Sequence, residues 1–151
     1  MLKKILFVIL IFNLSSHCDY KPVYLNKNKV NYKITITDFT GDKYINNLIA
    51  SNLKRNSKEQ SNKILNISFD TKYTKNILAK NTAGVITDYQ SDVVTTFMIK
   101  RVNDIENVSI NEKFNFQKMS DKYEEKNYER TIKKNLANSI SQKLILRLAV
   151  D

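Results

Sequence analysis

The sequence predicts one α+β domain, a two-layer sandwich in which two helices cover one face of a four-stranded mixed sheet. The 151 residues are enough for a single hydrophobic core. Four segments alternate apolar and polar residues, as half-buried strands do, and two others repeat apolar residues every three or four positions, as amphipathic helices do. Their order is β-α-β-β-β-α, which favours one layer of strands and one layer of helices.

Strict alternation predicts the four strands. In each of them the large apolar side chains occupy every second position and therefore share one face of the sheet. Short polar connections at 81–84 and 103–107 join the last three strands, so these strands are expected to form an antiparallel meander. The predicted strands cover residues 32–38, 64–79, 85–101 and 108–116.

Helical spacing predicts the two helices. Asp42 is a suitable N-cap for the first, over about 42–56, and acidic residues precede the second, over about 122–149. The second helix carries an apolar stripe that repeats every four residues and is expected to be buried. The stripe consists of Tyr128, Ile132, Leu136, Ile140, Leu144 and Leu148. The outer face is expected to hold Lys133, Lys134, Asn138, Ser141 and Lys143.

The start of the chain is typical of a signal peptide. Lys3 and Lys4 precede an apolar run at 5–14. Such a run of ten residues spans about 15 Å as a helix, too short to cross a bilayer. Cys18 is the only cysteine and follows at the position where bacterial lipoproteins are cleaved and acylated, although an ordinary secretory signal with an incidental cysteine stays open. The predicted division is a signal peptide at 1–17, a lipidated tether to the membrane at 18–31 and one domain at 32–151.

Residue counts exclude several kinds of catalytic site. Two distant glycines cannot build a phosphate-binding loop, and one histidine and one cysteine cannot form a zinc cluster. No cofactor or metal is therefore expected. The carboxylate pair Asp88 and Asp92 lies four positions apart on a strand, about 13 Å, which is wide even for an inverting glycosidase. We therefore expect a protein without enzymatic activity.

Basic residues exceed acidic ones. The net charge is +10 for the whole chain and +8 without Lys3 and Lys4. An exported basic protein is expected to attract anionic lipid or glycolipid rather than nucleic acid. The candidate cations, near strand ends, are Lys72, Lys100 and Arg101. A second explanation stays open, because the abundance of Asn, Lys and Ile also suggests a compositional bias that places lysines on solvated faces.

The sheet face that no helix covers is a candidate partner surface. On the third strand its outward positions include Ile86, Val94 and Met98, more apolar than a solvated face requires. Scattered exposed apolar residues are also ordinary on soluble proteins, so the pattern alone does not decide between a binding surface and a solvated one.

The residues after the predicted cleavage site carry a family resemblance. They read Cys-Asp-Tyr-Lys-Pro-Val-Tyr over 18–24. This opening resembles the C-G-F-x-P-L-Y start of LptE-type lipopolysaccharide-assembly lipoproteins, especially the alphaproteobacterial branch. Cys18, Pro22 and Tyr24 match that start, whereas Asp19 replaces its glycine. The order of strands and helices is similar over the rest of the mature chain.

The resemblance implies a function as well as a fold. LptE-type proteins are outer-membrane lipoproteins on the periplasmic side that plug a large β-barrel, LptD, and with it move lipopolysaccharide to the outer leaflet. They are not enzymes, and some bind lipopolysaccharide directly. Asp19 also resembles a signal that retains some lipoproteins in the inner membrane. The alternative is a lipid- or glycolipid-binding lipoprotein without a barrel partner, which an apolar cavity between sheet and helices would favour.

Overall fold

The computed structural model describes residues 30–150. The predicted signal peptide, Cys18 and most of the predicted tether lie outside them. The elements follow the predicted order, and their bounds differ from the predicted ones by a few residues. They are β1 (Lys33–Gly41), α1 (Lys43–Arg55), β2 (Ile64–Lys80), β3 (Ile86–Lys100), β4 (Ile105–Gln117) and α2 (Lys122–Val150).

The strands form one mixed sheet in the order β1-β2-β3-β4. β1 runs parallel to β2, whereas β2, β3 and β4 are antiparallel neighbours, as the predicted meander requires. β1 pairs with β2 only as far as Thr71, so the second half of β2 extends beyond it. β3 pairs with β2 and β4 over most of its length, and it is therefore the most fully paired strand.

Both helices lie on one face of the sheet and share one apolar core with it, which confirms the predicted sandwich. Odd-numbered residues of β2 and β3 point into this core because their side chains alternate between the two faces. The ring of Phe69 lies at its centre, 5.5 Å from the ring of Phe39 and 5.3 Å from that of Phe97. The fully buried residues of α1 are Ile45, Asn46, Ile49 and Leu53.

β1 contains a bulge that the alternating pattern did not predict. Its register with β2 shifts between Ile36 and Asp38. Ile36 packs against the core before the shift, and Phe39 does so after it. Asp38 and Thr40 are exposed as a result, because an extra residue in one strand reverses which side chains face inward.

Gly41 fixes the passage from β1 to α1. Its φ is 93°, and a Cβ at this position would lie 1.9 Å from the carbonyl oxygen of Thr71. Only glycine fits such a close approach in this backbone conformation. The next residue, Asp42, caps α1 as predicted, and its Oδ1 accepts a hydrogen bond from the backbone N–H of Ile45 at 3.0 Å.

The described residues begin at Val30, two positions before the predicted start of the domain. Val30 is fully buried in the core. The carbonyl oxygen of Asn31 accepts a hydrogen bond from the hydroxyl of Ser61 at 2.8 Å, and its side-chain oxygen accepts one from Lys58 Nζ at 3.1 Å. These contacts hold the start of the described chain against the segment that precedes β2.

α2 buries most of its predicted stripe, whereas Tyr128 is partly exposed. Three residues predicted for its outer face lie elsewhere, among them Asn138, which accepts a hydrogen bond from Asn52 of α1. Ser141 is fully buried and donates to the carbonyl oxygen of Ala137, and Lys133 Nζ binds Asp42 Oδ2 at 2.9 Å. The outer face is narrower than predicted because α2 packs against α1 as well as the sheet. Within residues 30–150, no helix has both the length and the apolarity needed to cross a membrane.

We expect the replacement Ile140→Ala to destabilise the fold by about 2–5 kcal/mol, because it opens a cavity under a fully buried side chain. Leu146→Ala, on the same helix but 45% exposed, is the control and is expected to cost less than about 1 kcal/mol. Urea unfolding followed by circular dichroism measures both. Equal losses would mean that the stripe does not hold α2 against the sheet.

Candidate interaction surface

The face of the sheet opposite the helices is the candidate interaction surface, here called the open face. It consists of even-numbered residues of the regular parts of β2 and β3 and odd-numbered residues of β4, because their neighbours point into the core. Cross-strand pairing arranges these residues in rows. The central rows are Ser68–Met98–Asn107, Asp70–Thr96–Ser109 and Lys72–Val94–Asn111. Most of these side chains can form hydrogen bonds, and the apolar ones among them are isolated.

The structure places two of the three predicted apolar residues on the open face, in separate rows. Val94 is half-buried and Met98 is 47% exposed, and both lie on the open face. Ile86 pairs with Lys80 near the tip of the β2–β3 hairpin. Register shifts in that hairpin interrupt the alternation of side chains between Ile86 and the regular part of β3. The predicted apolar surface is therefore not one continuous patch.

The predicted cations are also divided. Lys72 and Lys100 are exposed on the open face, where Lys72 lies opposite Val94 and Lys100 opposite Ile105. Six positions of β2 separate their two rows, which is about 20 Å along the strand. Lys72 and Lys100 therefore present two separate positive positions rather than one cluster.

Arg101 points into an ion-pair cluster. Its guanidinium donates to Glu106 Oε2 at 2.9 Å and lies 3.6 Å from Asp104 Oδ2. Glu106 Oε1 accepts a second bond, from Arg147 Nε of α2 at 2.9 Å. The hydrogen bond from Arg101, together with Arg147, holds the pKa of Glu106 below its usual range. This arrangement links the β3–β4 turn to α2, and the guanidinium of Arg101 binds carboxylates of the protein itself.

An acidic depression of about 270 Å³ lies beside Met98 on the open face. The bulge in β1 brings Asp38 and Thr40 to it, and the Thr40 hydroxyl donates to Asp70. Alternation in β1 did not predict Asp38 at this place because its position depends on the bulge, whereas Asp70 follows the regular alternation of β2. The open face is consequently mixed in charge, with acidic residues near β1 and Lys72 one row further along.

The two candidate catalytic carboxylates, Asp88 and Asp92, do not face each other as a pair. Asp92 Oδ2 binds Lys113 Nζ of β4 at 3.3 Å. Asp88 lies at a different place, beside a cleft lined by Phe116 and Tyr128. Among residues 30–150, no group of three or more histidine, cysteine or acidic side chains could hold a metal ion.

A polar network fills the second half of the face that α2 covers. Lys75 Nζ of β2 binds Glu125 at 2.8 Å and Glu129 at 3.2 Å and lies 4.2 Å from the centre of the Tyr89 ring. Burial alone would lower the pKa of Lys75, but the hydrogen bonds to the two glutamates raise it. Lys75 has the same parity as the buried residues of β2, which is the signal that could have revealed this network.

Tyr73 extends the network towards the core. Its hydroxyl donates to Glu129 Oε1 at 2.7 Å and shares a hydrogen bond with Ser91 at 3.0 Å. Burial, together with the neighbouring Glu129 carboxylate, raises the pKa of Tyr73 well above its usual range. Lys133 Nζ lies 3.8 Å from the centre of the same ring. α2 therefore meets the far part of the sheet through hydrogen bonds and charges as well as through the ring of Tyr128, which lies 6.0 Å from that of Phe116.

The groove between α1 and α2 has a volume of about 460 Å³. Polar side chains dominate its lining, among them Asn52, Arg55, Lys134 and Asn138. Asn52 donates to Asn138 Oδ1 at 2.9 Å across it. This lining differs from the apolar cavity that a lipid carrier would need.

Comparisons with known proteins identify the fold. No protein-family model matches the chain, and no curated protein matches it in sequence. Among solved structures, it is similar to a rare lipoprotein B from Shewanella oneidensis, with a TM-score of 0.53 and 12% identity, covering 72% of this chain and 92% of that one. A minor lipoprotein from Acinetobacter baumannii has a TM-score of 0.53 and 13% identity, covering 76% and 93%.

A proposed lipoprotein from Caulobacter crescentus CB15 has a TM-score of 0.54 and 7% identity, covering 82% of this chain and 90% of that one. The similarity thus extends over nearly the whole length of each of the three solved proteins. The chain therefore has the fold of these lipoproteins, an LptE-like fold.

We expect the Lys75 network to make stability depend on pH. The hydrogen bond from Lys75 lowers the pKa of Glu125, so its contribution is present at neutral pH and is lost as the pH falls through the folded-state pKa. Glu125→Gln should cost about 1 kcal/mol at neutral pH, in the range of partly exposed ion pairs. The variant should also lose less stability than the original protein as the pH falls.

Urea unfolding at a series of pH values measures the effect. Glu124→Gln, at the neighbouring exposed position, is the control and should leave the pH profile unchanged. Identical profiles for Glu125→Gln and the original protein would contradict a stabilising role for the network.

Proposed function

We propose that this protein is an outer-membrane lipoprotein, anchored through acylated Cys18, that assists lipopolysaccharide assembly as plug and partner of the β-barrel LptD. The observation that carries the proposal is an LptE-like fold in a chain whose opening also resembles that family. The two features are independent, because the opening lies outside the residues from which the fold is described. Neither the fold nor the opening requires catalysis, and we propose a protein that works by binding alone.

The open face is the proposed contact with the barrel. A barrel lumen is polar and hydrated, so a plug needs hydrogen-bonding side chains on the surface that meets it. The rows that contain Ser68, Thr96 and Asn111 supply such groups. Val94 and Met98 add isolated apolar contacts among them. This surface can meet a polar wall without leaving a large apolar patch exposed before assembly.

Lipopolysaccharide is the second proposed ligand. Its lipid A phosphates are anionic, and Lys72 and Lys100 present exposed ammonium groups on the open face. Arg101 is the third candidate, and its guanidinium would first have to leave Glu106. The two lysines are therefore the stronger candidates for an initial, weak contact.

We expect a photocrosslinker at position 98 to capture the barrel in cells. Position 146 is the matched control, since Leu146 is 45% exposed and Met98 is 47% exposed, but Leu146 lies on α2. Adducts should form from position 98 and, more weakly, from the half-buried position 94. Mass spectrometry of the adducts identifies the partner. Capture of inner-membrane proteins alone would contradict the proposal and would fit retention through Asp19.

We expect weak binding to lipopolysaccharide that falls as salt rises, because exposed charges are screened over about 8 Å at physiological ionic strength. Replacing Lys72 and Lys100 by Glu should weaken binding by about tenfold or more, since each contact to a charged group contributes on the order of 1 kcal/mol. Fluorescence titration with purified lipopolysaccharide measures the affinity.

The control for this titration replaces Lys126 and Lys134 of α2 by Glu, which changes the net charge equally at exposed positions. Arg101 is kept in both variants, because its replacement would also break the ion pairs with Glu106. Equal losses in the two variants would show that only net charge matters. Absence of binding by the original protein would contradict direct recognition of lipopolysaccharide.

A further inference from the structure

Both ends of the sheet expose apolar side chains. Ile77, Leu78 and Val85 do so at the tip of the β2–β3 hairpin, and a second group does so at the end where β2 begins. Val102, in the β3–β4 turn, is 93% exposed, and Ile64 and Ile105 are 49% and 53% exposed. Strand pairing brings them to the same end, since Ile64 begins β2 and Ile105 lies opposite Lys100. We call this surface the proximal end and define it by Ile64, Val102, Ile105, Lys63 and Lys100.

The conformation of the β3–β4 turn does not explain a valine at position 102. The backbone N–H of Arg101 donates to the carbonyl oxygen of Asp104 at 2.8 Å, so Val102 and Asn103 occupy the centre of a tight turn. Gly, Pro, Asn, Asp and Ser are favoured there, and a β-branched side chain is not. A valine directed almost wholly into solvent therefore suggests a surface that becomes covered.

Cations accompany these apolar residues. Lys63 and Lys100 are both exposed, and Lys63 Nζ lies 5.7 Å from the centre of the Tyr32 ring. The nearby carboxylates of Asp104 and Glu106 are paired with Arg101. Long lysine side chains can lie along an apolar surface while their ammonium groups reach a polar one. Apolar tips with adjacent lysines are typical of segments that lie at a membrane interface.

The first described residues lie at the same end. Val30 is buried, and Lys33 pairs with Ile64 at the beginning of β2. Twelve positions separate Cys18 from Val30. Twelve residues reach at most about 43 Å when fully extended. The tip of the β2–β3 hairpin lies a further 17 residues of β2 away, about 56 Å along the strand. A membrane anchor at Cys18 would therefore keep Val30, at the proximal end, within about 43 Å of the bilayer.

We propose that the proximal end docks on the bilayer that holds the acyl chains of Cys18. Ile64, Val102 and Ile105 enter the interface, and Lys63 and Lys100 meet anionic phospholipid headgroups. This inference rests on the anchor in the proposed function but adds a second membrane contact made by the folded domain. The contact would also orient the open face relative to the membrane.

The test uses the acylated full-length mature protein with one added cysteine. Val102→Cys and Val85→Cys are a matched pair, because both valines are exposed beside hairpin turns at opposite ends of the sheet. An environment-sensitive fluorophore labels only the added cysteine, since acylation occupies the sulfur of Cys18. Mass spectrometry of the N-terminal peptide first establishes that acylation. The labelled proteins are reconstituted in phosphatidylethanolamine vesicles with phosphatidylglycerol and a lipid-borne quencher.

We expect blue-shifted and quenched emission from position 102 and aqueous, unquenched emission from position 85. Replacing Lys63 and Lys100 by Ala in the Val102→Cys protein should lower the ratio of docked to undocked protein about fivefold for each lysine, the usual effect of a cation near an anionic surface. The same replacements should have little effect in vesicles of phosphatidylethanolamine alone.

Several results would overturn the proposal. If Cys18 is acylated but the fluorophore at position 102 stays in water, the domain does not contact the membrane, and the proposed function is unaffected. Quenching at position 85 instead would assign membrane contact to the opposite tip. A blue shift at position 102 without lipid quenching would indicate a protein contact there. An N-terminus without acyl chains would contradict the proposed anchor and this inference together.

Discussion

The structure depends on covering one face of β2 from Leu65 to Lys75. Leu65, Ile67 and Phe69 meet an apolar core, and beyond Thr71 the same face carries Tyr73 and Lys75. The apolar stripe of α2 matches only the first part, so its preceding turns supply Glu125 and Glu129 instead. A long strand and a long helix thus stay together through two kinds of contact, apolar at one end and ionic at the other. The ionic part is the more sensitive to acid, because its carboxylates must stay charged.

The two faces of the sheet differ because side chains alternate strictly along the regular parts of β2 and β3. The same alternation that buries Phe97 exposes Met98 and Thr96. A slip of one residue in the pairing would bring the polar rows under the helices, and burying those groups without partners would be costly. The pairing register that buries the core residues therefore also determines which side chains lie on the open face. An interaction surface of this kind is rigid before any partner arrives.

Periodicity predicted the elements well because each strand and helix has one buried face that its own residues specify. Contacts between distant residues were not predictable in this way. The guanidinium of Arg101 binds Glu106, and Glu106 also binds Arg147 of α2. Because Arg147 lies on a distant element, the sequence did not predict that Arg101 belongs to an ion-pair cluster. Ser141 was predicted to face solvent because no neighbouring residue in the sequence indicates that α1 packs beside it. The bulge in β1 depends on how Phe39 reaches Phe69, and alternation gave no sign of it.

β1 ends beside Thr71, whereas β2 continues to Lys80, and this difference in length leaves a step in the edge of the sheet. Along the step the backbone N–H and C=O groups on that side of β2 have no neighbouring strand of β1. Such an edge can recruit a strand from another molecule and so begin aggregation. Lys72 and Lys80 lie along it, and a lysine is among the residues that discourage such addition. Lys72 and Lys80 thus oppose the addition of a strand from another molecule at this edge.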